Sequence, residues 1–211
     1  MPVVRRIYLH TLIGAIGGWI GWMLFGEICS PDWNWQQLAL SSGLIIGACI
    51  GLGLAVIEAI IDQSLIRFLR YGAVGIILGG LGGATGCYLG EWVNYSIVVS
   101  AGATGKLAMV GTILARMLGW ALFGAAVGIC EGVAVLSHRK ILYGLIGGSL
   151  GGALGGLLYG LLLVVLKPGE STYLWGHSLG PALLAALIGL LRALVEEAFK
   201  PATLRILQGR Q

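Results

Sequence analysis

The chain has 211 residues, 57% of them hydrophobic and only 10% charged, with a mean hydropathy of +0.92. Soluble domains carry about 25% charged residues, so the composition excludes a soluble globular enzyme and marks an integral membrane protein. The net charge of +4 points to no nucleic-acid partner, because in a membrane protein the placement of the basic residues carries the information.

Six segments reach the roughly 20 apolar residues that a spanning helix needs: 7–26, 38–61, 72–91, 108–136, 141–166 and 179–199. The first follows Arg5-Arg6, as a signal peptide would, but has no A-x-A cleavage site and reads as a retained span. The second contains Gly51 and ends near Glu58. The third is glycine-rich, with Gly75, Gly79, Gly80 and Gly83. The fourth opens near Arg116, carries Gly124 and Glu131, and runs into the basic turn Ser137-His138-Arg139-Lys140. The fifth contains GLIGGSLGGALGGLLYG at 144–160, with two adjacent glycine ridges, one at 144, 148, 152, 156 and 160 and one at 147, 151 and 155. A glycine costs about 1 kcal/mol relative to alanine in a soluble helix. In lipid, small faces let backbones approach closely, and this closeness drives association. The sixth span carries Gly189, Arg192, Glu196 and Glu197.

The connections sort by charge. One side holds Arg5 and Arg6, Arg67 and Arg70, Arg139 and Lys140, then Lys200, Arg205 and Arg210. The other side is mixed or acidic, with Glu27, Asp32, Glu91, Lys106, Lys167 and Glu170. The positive-inside rule therefore places both termini in the cytoplasm. Trp33, Trp35, Trp92, Tyr95, Tyr173 and Trp175 fall on the opposite side, as an interfacial aromatic belt would.

A threefold repeat underlies this order, with units 7–61, 72–136 and 141–199. In each unit a glycine-rich helix precedes one in which a glutamate follows a glycine by seven residues: Gly51 and Glu58, Gly124 and Glu131, Gly189 and Glu196. Ten residues past each glutamate an apolar pair follows a basic residue, at Arg67, Lys140 and Arg205, and Arg6 before Ile7-Tyr8 is the N-terminal counterpart. The expected fold is an all-α bundle of six spans, built as three parallel two-helix repeats around a pseudo-threefold axis along the membrane normal. Glycine-zipper packing is expected at Gly14, Gly18, Gly75, Gly79, Gly83, Gly148, Gly152 and Gly156. Spans one, three and five are expected to form the inner contacts of that bundle.

Ionisable groups inside spans are costly and often functional. Glu58, Glu131 and Glu196, with Arg67, Arg139, Lys140, Arg192 and Arg205, form the candidate charge ring. Two readings stand: interfacial salt bridges that fix the repeats relative to one another, or an acidic ring guarding a cation path. Arg192 lies one turn before Glu196 on the same helix face and breaks the repeat, since Leu54 and Val127 match it. His10, His138 and His177 share no helix at ligand spacing, and Cys29, Cys49, Cys87 and Cys130 show no CxxC, so no metal, haem or other cofactor is expected. No Ser/His/Asp set, HExxH, GxSxG or P-loop is present, and GGLGGATG lacks the GK[ST] of a nucleotide loop. No enzymatic activity is expected.

Three parallel two-helix repeats with both termini on one side resemble the architecture of the mitochondrial carriers. The proline-centred acidic and basic motif of that family is missing from spans one, three and five, so the likeness carries no function. The last stretch, ATLRILQGRQ, resembles the opening strand of a forkhead-associated domain, where apolar alternation runs into a glycine turn. The chain is similar in this to the glycine-rich membrane region of bacterial proteins bearing such cytoplasmic domains. That resemblance implies a soluble domain beginning at 202–211 and a bacterial inner-membrane location. The functional expectation is a membrane subunit or anchor presenting a basic cytoplasmic face to a soluble domain or partner complex. The alternative is a small cation or solute channel with the glutamates at its cytoplasmic mouth.

Overall fold

The computed structural model describes residues 3–30, 32–100, 102, 104–165 and 170–199, and the positions named above at 200–211, Arg205 among them, lie outside these. Six long helices follow one another: α1 (Val3–Ile28), α2 (Trp35–Ile61), α3 (Leu65–Asn94), α4 (Gly105–Ala134), α5 (His138–Val165) and α6 (Glu170–Ala198). No strand occurs among the described residues. All six are long and apolar enough to cross a membrane. At 1.5 Å per residue the shortest, with 26 residues, exceeds the roughly 30 Å hydrocarbon layer. α3 continues into a π-helical turn, Tyr95–Ser100.

Local chemistry fixes the helix ends. Asn34 caps α2 through a reciprocal pair: its side chain accepts from the Gln37 amide at 2.8 Å, and the Gln37 side chain accepts from the Asn34 amide at 3.0 Å. The α2–α3 and α4–α5 turns are three residues each and alike. In the first, the Ser64 amide donates to Ala59 O at 3.1 Å and Gln63 sits at φ +49°. In the second, the Ser137 amide donates to Gly132 O at 2.9 Å and Leu136 sits at φ +54°. Both are Schellman closures with a non-glycine residue in the left-handed position, at about 1–2 kcal/mol each. Such tight turns hold α2 against α3 and α4 against α5 along their lengths, and these are the two most extensive helix contacts.

Every helix packs antiparallel on its chain neighbours, and α6 closes back on α1. Across the middle of the ring, α2, α4 and α6 also touch one another, whereas α1, α3 and α5 make no mutual contact among the described residues. The expectation that spans one, three and five lie inside is therefore wrong. The core consists of Ile46, Ile50, Leu54 and Ile57 of α2, Phe123 and Val127 of α4, and Leu184, Ala185 and Ile188 of α6. The physical reason is volume. An axis needs side chains to fill it, and a glycine face has none to give.

The glycine faces serve the sides of the ring instead. On α3, a Cβ at Gly79 would fall on the carbonyl oxygen of Gly47, and one at Gly47 on that of Gly79. Gly124 and Gly148 meet in the same reciprocal way between α4 and α5. The two ridges of α5 face different neighbours. Gly144, Gly148, Gly152 and Gly156 lie against α4, while Gly147, Gly151 and Gly155 lie against Arg192, Ile188 and Leu184 of α6. On α1, Gly14 meets the carbonyl of Ala185 and Gly18 that of Pro181. Gly75 and Gly83 meet Gly51 and Gly43. The outward faces carry large exposed apolar residues, among them Trp19, Ile20, Ile77, Leu81, Leu118, Leu150 and Leu183, which are the surface a bilayer covers.

Candidate functional site: a buried ion network

Both short turns, the start of α1 and the end of α6 lie at the same end of the bundle, called here the terminal end. Close to it Glu58, Glu131 and Glu196 come together, although each sits on a different inner helix. Glu131 is the hub and its carboxylate is fully buried. It accepts from Arg192 Nη2 at 2.5 Å, from Lys140 Nζ at 3.2 Å, and lies 3.4 Å from His10 Nε2. Lys140 also pairs with Glu58. Arg6 Nη2 bridges Glu58 Oε1 at 3.1 Å and Glu196 Oε1 at 3.0 Å. Arg192 lies 4.0 Å from Glu196 on its own helix and donates through Nε to the Gly128 carbonyl at 3.2 Å.

The network thus joins three carboxylates, from α2, α4 and α6, to three permanent cations, from α1, α5 and α6. Charge balances without His10. Burial grades outward: His10 and Glu131 are inaccessible, Glu196 is nearly so, and Glu58, Arg6 and Lys140 are about one-fifth to one-quarter exposed. Arg192 is only 1% exposed and its Nη1 has no hydrogen-bond partner among the described residues. Isolated charges at this burial are untenable, so each must be held by its neighbours. A cleft of about 380 Å³ opens beside the outer part of the network, lined by Val3, Arg6, Ile57, Glu58, Ile61, Asp62 and Glu197.

Of the residues singled out in the sequence, Glu58, Glu131, Glu196, Arg192 and Lys140 are brought together. Arg67 is not: it is half-exposed and pairs with Asp62 at the α2 end. Arg139 is exposed on the first turn of α5. Two members were not anticipated as such. Arg6 was visible only as the N-terminal counterpart of Arg67 and Lys140, and nothing in the sequence draws His10 to Glu131, 121 residues away. His138 is exposed, and the side chain of His177 lies outside those described. Arg116 stands over the Tyr159 ring, 5.5 Å from its centre. At the opposite end Trp35 stacks between Tyr88 and Tyr95, with ring centres 5.9 and 5.7 Å apart. Among the described residues no three His, Cys, Asp or Glu side chains gather as metal ligands.

Comparison with family models, curated proteins and solved structures finds no match to this chain.

Proposed function

We propose that the chain is a non-enzymatic membrane subunit or anchor, a closed bundle that offers a basic face at its terminal end to a soluble domain or partner complex. The observation that supports this most is the pairing of every repeated glutamate with a cation of the same chain. A cation path needs carboxylates left free to replace water around an ion. Here Arg6, Lys140 and Arg192 already occupy them, and Ile50, Leu54, Phe123, Val127 and Ile188 fill the axis beyond. Exposed Arg5, Arg70 and Arg139 remain at the terminal end for a partner or for anionic headgroups.

Three parallel two-helix repeats about a pseudo-threefold axis account for the matched turns and for the glycine contacts that recur between α2 and α3 and between α4 and α5, as a glycine zipper. On the positive-inside rule the terminal end is cytoplasmic. The resemblance of 202–211 to a forkhead-associated strand fits a bacterial inner-membrane protein with a cytoplasmic domain or partner. Extraction from native membranes in a mild detergent, followed by native mass spectrometry, tests the reading. A particle heavier than the 22.0 kDa of this chain by a discrete protein mass is expected. A particle of 22.0 kDa, or only multiples of it, counts against an anchor.

A further inference from the structure

The ends of the spans rise out of the hydrocarbon. α2 has 27 residues. At 1.5 Å per residue that is about 40 Å against roughly 30 Å of apolar layer, so about one turn at each end stands among the lipid headgroups. The cleft at the terminal end lies at that level. It is framed by Val3 and Arg6 on the first turn of α1, by Ile57 to Asp62 at the end of α2, and by Glu197 near the end of α6. Its volume of about 380 Å³ falls within the roughly 300–1,000 Å³ of small-molecule sites.

The lining joins three kinds of surface. Val3 and Ile61 are exposed apolar lips, and Ile57 is a buried wall. Arg6 supplies a cation beside Glu58, 3.1 Å away, and Asp62 and Glu197 add two carboxylates. The ion network does not exhaust these groups. Arg6 meets both Glu58 and Glu196 through Nη2, and an arginine has five N–H donors. Arg6 and Lys140 both close on Oε1 of Glu58, and a carboxylate accepts at about four lone-pair sites. The side chains of Arg6 and Glu58 are 21% and 25% exposed, so both are open to a ligand.

A ligand that complements this lining carries an anionic and a cationic group a few bonds apart, next to an apolar chain. The cation must donate N–H to the carboxylates. A quaternary ammonium has no N–H and is held by aromatic faces instead, and among the described residues no aromatic side chain lines the cleft. A headgroup of net negative charge would meet three carboxylates against one guanidinium. We propose that the cleft binds the headgroup of a zwitterionic phospholipid with a primary ammonium, such as an ethanolamine phospholipid. The ammonium sits on Glu58 and Asp62, the phosphate takes the remaining donors of Arg6, and the glycerol and first acyl carbons rest on Val3 and Ile61. The site stands whether or not the chain anchors a partner.

Native mass spectrometry of the full chain in detergent tests this, with separate titrations of dioleoyl ethanolamine, choline and glycerol phospholipids. Their acyl chains are identical, so only the headgroup differs. One ethanolamine lipid is expected to bind at least about tenfold more tightly than either of the others, as hydrogen bonds to charged groups predict. D62N/E197Q removes two lining carboxylates, leaves Glu58, Glu131 and Glu196 in place, and is expected to erase the preference. I61W fills the cleft from its apolar lip and is expected to lose the bound lipid; it serves if the double variant does not fold. Equal affinity for the three lipids, or an unchanged preference in either folded variant, overturns the proposal. Glycerophosphoethanolamine, the same headgroup without acyl chains, is expected to compete only far above the lipid's own concentration. Displacement at equal concentration would make the ligand a soluble zwitterion and overturn the lipid assignment.

Discussion

Glu131→Gln is the most informative single change. The carboxylate is inaccessible and receives Arg192 at 2.5 Å, Lys140 at 3.2 Å and His10 at 3.4 Å. Glutamine keeps the shape and loses the charge. Lys140 retains Glu58, but Arg192, 1% exposed, is left with a carboxylate at 4.0 Å and one backbone carbonyl. Removing one partner of a buried ion pair costs about 3–5 kcal/mol. Against a total stability of about 5–15 kcal/mol this is a large fraction. For a chain of this length about 2–4 °C of Tm follows each kcal/mol, so thermal unfolding in detergent is expected to fall by roughly 6–20 °C. The double variant E131Q/R192M removes both charges, and its Tm is expected to exceed that of E131Q alone, because no uncompensated guanidinium remains. A Tm for E131Q within about 2 °C of wild type, or strictly additive losses in the double variant, refutes the reasoning.

Other substitutions separate the parts of the account. Arg67→Ala breaks an ion pair about half-exposed on both sides, so Tm is expected to shift by no more than the roughly 0–1 kcal/mol typical of surface pairs. Gly47→Ala puts a methyl group on the Gly79 carbonyl, with backbone on both sides, and is expected to destabilise by about 1–3 kcal/mol as α2 and α3 are forced apart. Gly26→Ala meets nothing within 4 Å on the last turn of α1 and is expected to be neutral or stabilising, by up to about 1 kcal/mol. If the two glycine variants behave alike in a thermal-shift assay, the close-contact explanation of the glycines fails. Gly102→Ala, at φ +62°, is expected to lower Tm through backbone strain alone, since a Cβ there has open space.

The spans were legible because hydropathy and length are local properties; most helix bounds fall within four residues of those expected, but α3 begins seven residues before 72 and α6 nine residues before 179. The common spacing of Glu58, Glu131 and Glu196, each seven residues after a glycine, was legible in the sequence. What the sequence does not carry is direction. Glycine spacing announces that a backbone comes close but not from which side, and so the glycine helices were expected inside. Arg67 misleads for a local reason. It is the counterpart of Lys140, yet Asp62 at the α2 end captures it, whereas Val135 stands at the corresponding place after α4 and leaves Lys140 to reach inward. Arg192 supplies the third cation from four residues before Glu196, where Leu54 and Val127 stand four residues before Glu58 and Glu131. His10 enters the network through a change of register. Gly51 meets Gly75 and Gly124 meets Gly148, but Gly189 meets the carbonyl of His10, one turn from the corresponding Gly14. No pattern within α1 or α6 announces that shift, because it is set by how the ring closes.

The central claim is that the glutamates are neutralised within a closed bundle, and ion flux tests it most directly. Protein reconstituted in liposomes under a potassium or sodium gradient is expected to add no flux to that of protein-free vesicles. E58Q and E131Q, where folded, are expected to leave that baseline unchanged. A wild-type flux above baseline that falls in E58Q or E131Q contradicts the account, and makes the three glutamates the mouth of a path instead of a clamp.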